Sequence, residues 1–103
     1  MVDPAIIKTA ENYIKQIPKD LGVKKSYLFG SYAKGIEREE SDIDIAIILE
    51  NMTDFFAIQR QLMRLRRNID LRIEPHPIHE RDFNNDNPFA YEIQKNGIEI
   101  STD

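Results

Sequence analysis

Two aspartates, Asp42 and Asp44, are separated by one residue at the start of an apolar stretch of strand length. Side chains alternate between the faces of a strand, so both carboxylates are expected on the same face. A strand-end cap or a solvated side chain would explain either aspartate alone. Paired carboxylates need a partner or a metal when they are withdrawn from water, and their oxygens suit Mg²⁺. Two such ions would activate an attacking hydroxyl and stabilise the leaving oxygen of a phosphoryl-type displacement.

A third carboxylate is predicted beside this pair. The segment 69–73 is interpreted as a strand with Leu71 and Ile73 facing the core. Asp70, Arg72 and the following Glu74 are expected on the opposite face. If the two strands are neighbours, Asp70 joins the aspartate pair, and three crowded carboxylates need a cation between them. Asp70 is therefore predicted as a metal ligand. Arg72 could clamp a phosphate bidentately, or it could pair with Asp70 and weaken its role.

A short loop upstream of the aspartates is suited to phosphate. Gly30 and Ser31 follow a predicted strand and open a one-turn helix that ends at Lys34 and Gly35. Glycine lets the backbone approach a ligand closely, and a helix start directs amide hydrogens at an anion. Lys34 adds a point charge for a triphosphate tail. A Gly-Ser turn alone is ordinary, but together with Asp-x-Asp ten residues later it indicates a nucleotide site.

The remaining elements position these residues. Helices are predicted from Asp3-Pro4 to Pro18, over a stripe that starts at Phe55, and from Asn87-Pro88 to Gly97. Either Asn51 or Thr53 is expected to cap the second of these helices. The predicted strands are 24–29, 43–49, 69–73 and 98–100. Helices and strands alternate, which favours an α/β sheet layered with helices. In strand 43–49, Ile43, Ile45 and Ile47 are expected to face the core.

Two further groups are weighed against simpler explanations. Arg60, Arg64 and Arg67 are interpreted as a solvated helix face, with a docking surface as the alternative. The histidines in EPHPIHE are interpreted as part of a loose loop after a strand rather than as zinc ligands, because prolines interrupt the segment and no cysteine assists.

Composition limits the class of protein. The 103 residues, 41% apolar and 31% charged, are expected to form one domain over 1–103. The net charge of −4 provides no global basic field for nucleic acid. There is no cysteine, no run of apolar residues long enough for a membrane span and no leader pattern at the N-terminus. A reducing, cytoplasmic setting is therefore expected.

The segment LFGSYAKGIEREESDIDIAIIL resembles a known signature. The spacing, with Gly30-Ser31, ten residues and then Asp42-Ile43-Asp44, resembles the signature of the DNA polymerase beta-like nucleotidyltransferase superfamily. The residues around it are similar to those of its smallest members, the minimal nucleotidyltransferases. The resemblance covers nearly the whole chain. It implies a palm-like mixed α/β (α+β) sheet with helices packed on one face and the carboxylate site on the other.

The resemblance also implies roles for these residues. Gly30 and Ser31 would hold the β- and γ-phosphates of the nucleotide, while Asp42 and Asp44 would coordinate two Mg²⁺ ions. Asp70 would contact one ion and help to deprotonate the acceptor hydroxyl. Attack on the α-phosphorus would transfer a nucleoside monophosphate, AMP from ATP, and expel pyrophosphate.

The resemblance extends to antitoxins that are encoded beside a HEPN ribonuclease toxin and transfer AMP onto a tyrosine of that toxin. It therefore implies an antitoxin that works in a hetero-oligomer with a co-encoded HEPN toxin. Two alternatives remain: a non-enzymatic antitoxin that keeps the site as a relic, and nucleotidyl transfer to a small molecule or an RNA end. The acidic charge balance argues against direct nucleic-acid binding.

Overall fold

Helices and strands alternate along the chain in the predicted order, and the α/β fold is confirmed. The computed structural model describes residues 2–101. Over that range the elements are α1 (Pro4–Lys15), β1 (Val23–Phe29), α2 (Ser31–Lys34), β2 (Ile43–Leu49), α3 (Phe55–Leu65), β3 (Ile73–His79), α4 (Pro88–Asn96) and β4 (Ile98–Glu99). No helix among these is both long and apolar enough to cross a membrane.

One mixed sheet, in the order β3-β2-β1-β4, organises the molecule. β1 is antiparallel to β2 and to β4, whereas β2 and β3 are parallel. Phe29 near the end of β1 pairs with Asp44 near the start of β2, and Asp44 pairs with Glu74 of β3. The end of β1 and the starts of β2 and β3 therefore meet at one edge of the sheet, which is where the predicted site residues converge.

The two faces of the sheet are covered by different helices. Ile43, Ile45 and Ile47 pack into one apolar cluster with residues of α1 and α3, as predicted. On the other face, Ile93 of α4 packs against Ala46 and Ile48. The expectation that helices cover only one face is therefore refined, because α4 covers part of the second face. Ala46 and Ile48, which follow Asp44 on its own face, are apolar, and α4 buries them while the end of the strand that carries Asp44 stays open.

The third strand begins at Ile73, four residues later than the predicted start, and it runs through both prolines that were interpreted as loop. Leu71, which was expected to face the core, is 67% exposed. The prediction failed because prolines were taken to end the strand. β3 lies at the edge of the sheet, and an edge strand accommodates proline wherever the missing N–H would point away from the neighbouring strand.

Side chains of α3 and its following turn cover the outer edge of β3. The carbonyl oxygen of Ile73 accepts a hydrogen bond from Arg66 Nη1 at 2.9 Å, and that of Pro75 accepts one from Gln59 Nε2 at 3.2 Å. Pro75 and Pro77 have no N–H, and the N–H of Ile73 bonds to the carbonyl of Asp70. The carbonyls of Ile73 and Pro75 and the N–H of Ile73 are thus satisfied within the molecule.

The third helix begins at Phe55, directly after a cap residue that the sequence prediction did not name. Asp54 accepts a hydrogen bond from the backbone N–H of Ala57 at 3.1 Å and is the N-cap, so the predictions of Asn51 and Thr53 are wrong. Phe55, which was expected on the buried stripe, is 44% exposed. The capping rule identifies the residue type correctly, but three candidates within four positions can be separated only by the geometry of the turn.

Candidate active site

The loop after β1 has the form that the sequence predicts. Gly30 adopts φ 78°, and α2 runs from Ser31 to Lys34 before Gly35 ends it with φ 71°. Tyr32 anchors this turn because its ring is buried in the main apolar cluster. Lys34 is exposed at the end of the turn and lies 4.0 Å from Glu92 of α4, so its ammonium group stands beside the loop and can still turn toward a ligand.

Gly30 and Asp44 are in close contact. A Cβ atom placed on Gly30 would lie 3.2 Å from Asp44 Cγ and would collide with Asp44 Oδ2. The positive φ of Gly30 also lies in the left-handed region that L side chains rarely adopt. Both the lack of space for a Cβ and the positive φ therefore require glycine at this position. Because glycine has no side chain, the loop backbone can lie directly against the carboxylate.

A histidine on β3 holds the other oxygen of the same carboxylate. His76 Nε2 lies 3.1 Å from Asp44 Oδ1. The His76 ring meets Phe29 edge to face, with centroids 4.9 Å apart, and lies 6.2 Å from the ring of Phe89. The sequence interpretation assigned this histidine to a loose loop. The structure instead places it on the site face of a strand, in contact with a predicted metal ligand.

Asp42 occupies the exposed position immediately before β2. The next residue, Ile43, donates its N–H to the carbonyl of Arg72 at 2.8 Å, which joins the start of β2 to the turn before β3. Asp42 and Asp44 therefore flank the first hydrogen bond between these two segments. The predicted arrangement of two carboxylates one residue apart at a strand start is present.

Asp70 does not lie on a strand, so the alternation that placed it beside the aspartate pair is wrong. It sits in the turn before β3 and is bound by Arg72, whose Nη2 is 2.7 Å from Oδ2 and whose Nε is 3.0 Å from Oδ1. Hydrogen bonding by the Arg72 side chain lowers the pKa of the Asp70 carboxyl below its ordinary value. Of the two readings of Arg72, the structure shows the pairing with Asp70.

Arg72 also reaches the phosphate loop. Its Nη1 donates to the hydroxyl of Tyr32 at 3.1 Å, and its guanidinium carbon lies 6.0 Å from the centre of the Tyr32 ring. Asp70 holds the guanidinium in place from the other side. The three residues thus connect the turn before β3 to α2, and they stabilise the position of the loop above the sheet.

The carboxylate that does share the face and register of Asp44 is Glu74. The two residues are direct partners in the parallel pairing of β2 with β3, and both are half-buried. Neighbours in register on adjacent strands point to the same side of a sheet. Glu74 therefore occupies, on β3, the place that the sequence interpretation gave to Asp70.

These residues fit Mg²⁺ that arrives with a nucleotide better than a preformed metal cage. Between residues 2 and 101, no three His, Cys, Asp or Glu side chains are close enough together to hold an ion by themselves. Mg²⁺ is commonly bound through one or two carboxylates together with substrate phosphates and water. Asp42 and Asp44 supply that number of oxygen ligands beside a loop that can receive the phosphates.

Sequence reasoning placed Glu74 on the site face but gave its role to Asp70, and it missed His76. The alternation of the segment EPHPIH places its first, third and fifth residues on one face and its prolines on the other. Once the prolines are read as core-facing residues of an edge strand, whose missing N–H groups would point away from the sheet, that signal places both side chains on the face of Asp44. Local sequence patterns could not reveal the contact itself, because His76 and Asp44 are 32 residues apart in the sequence.

Comparison with known proteins gives consistent matches. Residues 11–103 match the family described as "Polymerase beta, Nucleotidyltransferase". The chain is 32% identical over 98 residues to a protein of Methanocaldococcus jannaschii named "Putative protein adenylyltransferase MJ0141", and the alignment covers 92% of this chain and 95% of that protein.

Solved structures that match this fold include toxin–antitoxin structures. A crystal structure of a toxin–antitoxin with AMP-PNP matches with a TM-score of 0.67 and 23% identity, covering 94% of this chain and 73% of that one. A tyrosine-to-alanine mutant of the toxin–antitoxin MntA-HpeT matches with a TM-score of 0.58 and 25% identity, covering all of this chain and 74% of the other. The shared fold extends over the whole of the sheet that carries the site.

Proposed function

Because the chain belongs to the polymerase beta-like nucleotidyltransferase family, we propose that it transfers AMP from ATP to a hydroxyl group of a partner protein. The observation that carries the proposal is the contact of the Gly30 loop with Asp44, one residue from a second aspartate at the same strand start. That contact brings a phosphate-binding backbone and a pair of metal ligands to one point. The name of the archaeal relative supports adenylyl transfer to protein as the reaction type.

The chain's own residues divide the work of binding and orientation. Gly30 and Ser31 present the loop backbone to the β- and γ-phosphates, and Lys34 adds charge at the end of the same turn. Asp42 and Asp44 would hold Mg²⁺. Glu74, rather than Asp70, is proposed as the third carboxylate, which acts on the acceptor. When bound, Mg²⁺ stabilises negative charge on the phosphates and on the attacking and leaving oxygens.

The order of the strands separates a donor side from an acceptor side. The phosphate loop follows β1, whereas Glu74 lies on β3, and the aspartates on β2 stand between them. In an in-line displacement the attacking oxygen approaches from the side opposite to the leaving group. Pyrophosphate therefore leaves toward the β1 loop, and the acceptor hydroxyl enters from the β3 side.

In the proposed reaction, each bond that forms or breaks and the transferred proton are accounted for as follows. The acceptor oxygen forms a bond to the α-phosphorus, the bond from that phosphorus to the bridging oxygen of the β-phosphate breaks, and pyrophosphate carries away the electron pair. Glu74 is proposed to take the hydroxyl proton, because it is the carboxylate on the acceptor side of the site. Arg72 is proposed to act through Tyr32, which it holds in the phosphate loop.

The partner is proposed to be a co-encoded toxin of the HEPN ribonuclease class, so that the chain acts as its antitoxin. Support comes from the toxin–antitoxin assemblies in which the same fold occurs. The reaction itself also needs an acceptor that presents a hydroxyl group to the β3 side of the site. A toxin bound there would be both the binding partner and the substrate.

Labelling of the partner tests this function directly. The chain is incubated with ATP labelled in the α-phosphate, Mg²⁺ and the protein encoded beside it, and transfer is followed on a gel. We expect the partner to become labelled, and we expect Asp42→Asn with Asp44→Asn to remove the label. Asp20→Asn with Asp86→Asn is the matched control, because it removes the same charge from two exposed positions away from the site.

Two outcomes would contradict the proposal. If the Asp42→Asn, Asp44→Asn variant labels the partner as well as the unmodified chain does, the site is wrong. If the same variant still neutralises the toxin fully in cells and no nucleotide is found on the toxin, the chain is a non-enzymatic antitoxin. The pairing of Asp70 with Arg72, which withdraws one carboxylate that the family resemblance made catalytic, is the observation that favours this second function.

A further inference from the structure

Asp44 is held on both of its carboxylate oxygens. Oδ1 lies 3.1 Å from His76 Nε2, and Oδ2 is the first atom that a Cβ on Gly30 would meet. A carboxylate has no hydrogen to donate, so the hydrogen bond requires the proton on His76 Nε2. The imidazole therefore donates to one oxygen and the glycine backbone limits the space around the other.

The carboxylate needs this support because its terminal torsion is soft. The last torsion of an aspartate side chain joins an sp³ carbon to an sp² carbon, and its distribution is broad rather than confined to three narrow wells. An unsupported carboxylate at Asp44 would rotate and present its oxygens in many directions. A fixed donor on one oxygen selects a single orientation and leaves the other lone pairs facing the loop.

His76 is itself fixed by its neighbours. Its ring packs edge to face on Phe29 of β1 and lies near Phe89 of α4, and those two rings are in turn 5.5 Å apart. The residue that follows His76 is Pro77, and a residue before proline is confined to extended backbone. The same restriction holds for Glu74 before Pro75. The prolines thus hold the backbone at both functional positions of β3 in the strand conformation.

We propose that His76 is a positioning residue for metal binding: its Nε2–H holds Asp44 in the orientation that receives Mg²⁺ together with the nucleotide phosphates. The inference rests on the function proposed above. Hydrogen-bond partners of metal-ligating carboxylates fix the ligand's orientation, and their loss commonly costs 10–100-fold in metal affinity. A histidine that only filled the space between Phe29 and Phe89 would have no effect on metal affinity.

Two substitutions at this position separate the hydrogen bond from the packing. His76→Phe keeps an aromatic ring against Phe29 and Phe89 but removes the donor. His76→Gln loses the ring, and its side-chain N–H can still reach Asp44. If His76→Phe does not fold, His76→Leu replaces it, because it also lacks a donor. Thermal unfolding of each variant checks that the fold is kept.

The measurement is the affinity of the full chain for Mn²⁺ in the presence of a non-hydrolysable ATP analogue, followed by the loss of the free-ion electron paramagnetic resonance signal. We expect His76→Phe to weaken Mn²⁺ binding by about 10-fold or more and His76→Gln to stay close to the unmodified chain. In the labelling assay, the Mg²⁺ concentration for half-maximal rate should rise with His76→Phe, while the rate at saturating Mg²⁺ recovers.

The inference and the proposed function fail in different ways. Unchanged Mn²⁺ affinity in His76→Phe, or an equal loss in His76→Gln, would overturn the positioning role. Asp44→Asn is the reference variant in the same titration. If it loses Mn²⁺ while His76→Phe does not, only the inference fails; if Asp44→Asn binds Mn²⁺ normally, the proposed metal site itself is wrong.

Discussion

Gly30 is the residue on which the geometry of the site depends most directly. It has the backbone conformation that starts α2, and it leaves the space that the Asp44 carboxylate occupies. Any side chain at this position would have to displace either the loop or the carboxylate. The loop that starts at Gly30 and the aspartates at the start of β2, which are the two halves of the candidate site, therefore meet at the Cα atom of Gly30.

Substitution of this glycine should affect the reaction far more than the fold. We expect Gly30→Ala to lower the labelling rate on the order of 100-fold, because a displacement of about 1 Å at a reacting centre can cost that much. The positive φ adds a destabilisation of more than about 1 kcal/mol. Transfer rate and urea denaturation are measured on the same preparation.

The matched control is Gly22→Ala. Gly22 has a similar φ of 67°, and a Cβ there would meet Glu50 rather than a site residue. We expect it to be destabilised comparably while the transfer rate is kept. A Gly30→Ala variant that transfers AMP as fast as Gly22→Ala would show that the contact with Asp44 does not matter for the reaction.

At the scale of elements, the start of α3 fixes how the chain crosses from β2 to β3. Asp54 closes the first turn by accepting the N–H of Ala57, and the helix then buries Ile58 and Leu62 against the sheet. The side chains that cover the outer edge of β3 come from the same helix and the turn after it. A helix that began at another residue would present a different set of side chains to that edge.

Removal of this cap should destabilise the protein by a moderate and measurable amount. We expect Asp54→Ala to cost about 1 kcal/mol, which corresponds to a fall in melting temperature of roughly 4–8 °C for a domain of this size. Thr53→Ala is the control, because Thr53 is exposed and lies directly before the cap. Equal melting temperatures for the two variants would contradict the assignment of Asp54.

The strands β2 and β3 show what local sequence patterns predict in this structure and what they do not. Asp42, Asp44 and the glycine of the phosphate loop follow from local spacing, and β2 has the predicted bounds. The predicted end of β3 was wrong because edge position decides whether a strand tolerates proline, and edge position is a property of the assembled sheet. The contact of His76 with Asp44 depends on that same pairing, so local patterns could not supply it.

At the scale of the whole molecule, Tyr13 joins the two helices that cover the main core. The side chain of this α1 residue is fully buried, and its hydroxyl donates to the carbonyl of Leu62 in α3 at 2.7 Å. Burial raises the pKa of the Tyr13 phenol above its ordinary value. The bond fixes the distance between α1 and α3 above a sheet whose other contacts are mainly apolar.

We expect Tyr13→Phe to lower the free energy of unfolding by about 0.5–1.5 kcal/mol, which is the usual net contribution of one hydrogen bond. The ring stays in the core, so the denaturant dependence should keep its slope. Urea unfolding measures the change. Tyr91→Phe removes a hydroxyl from a side chain that is 45% exposed, and a loss as large as that of Tyr13→Phe in this control would argue against the hydrogen bond.

The outer edge of β3 also determines how other chains can associate with the sheet. Exposed edge strands are common points of aggregation, because their free N–H groups template a further strand. Here Pro75 and Pro77 offer no N–H, and the carbonyls of Ile73 and Pro75 are already bonded to Arg66 and Gln59. Between Ile73 and Pro77, this edge therefore offers no free N–H group to which a second polypeptide could add as a further strand. The prolines that keep the backbone extended at Glu74 and His76 thus also limit strand addition at β3, and we expect a partner at the proposed acceptor side to bind through side chains.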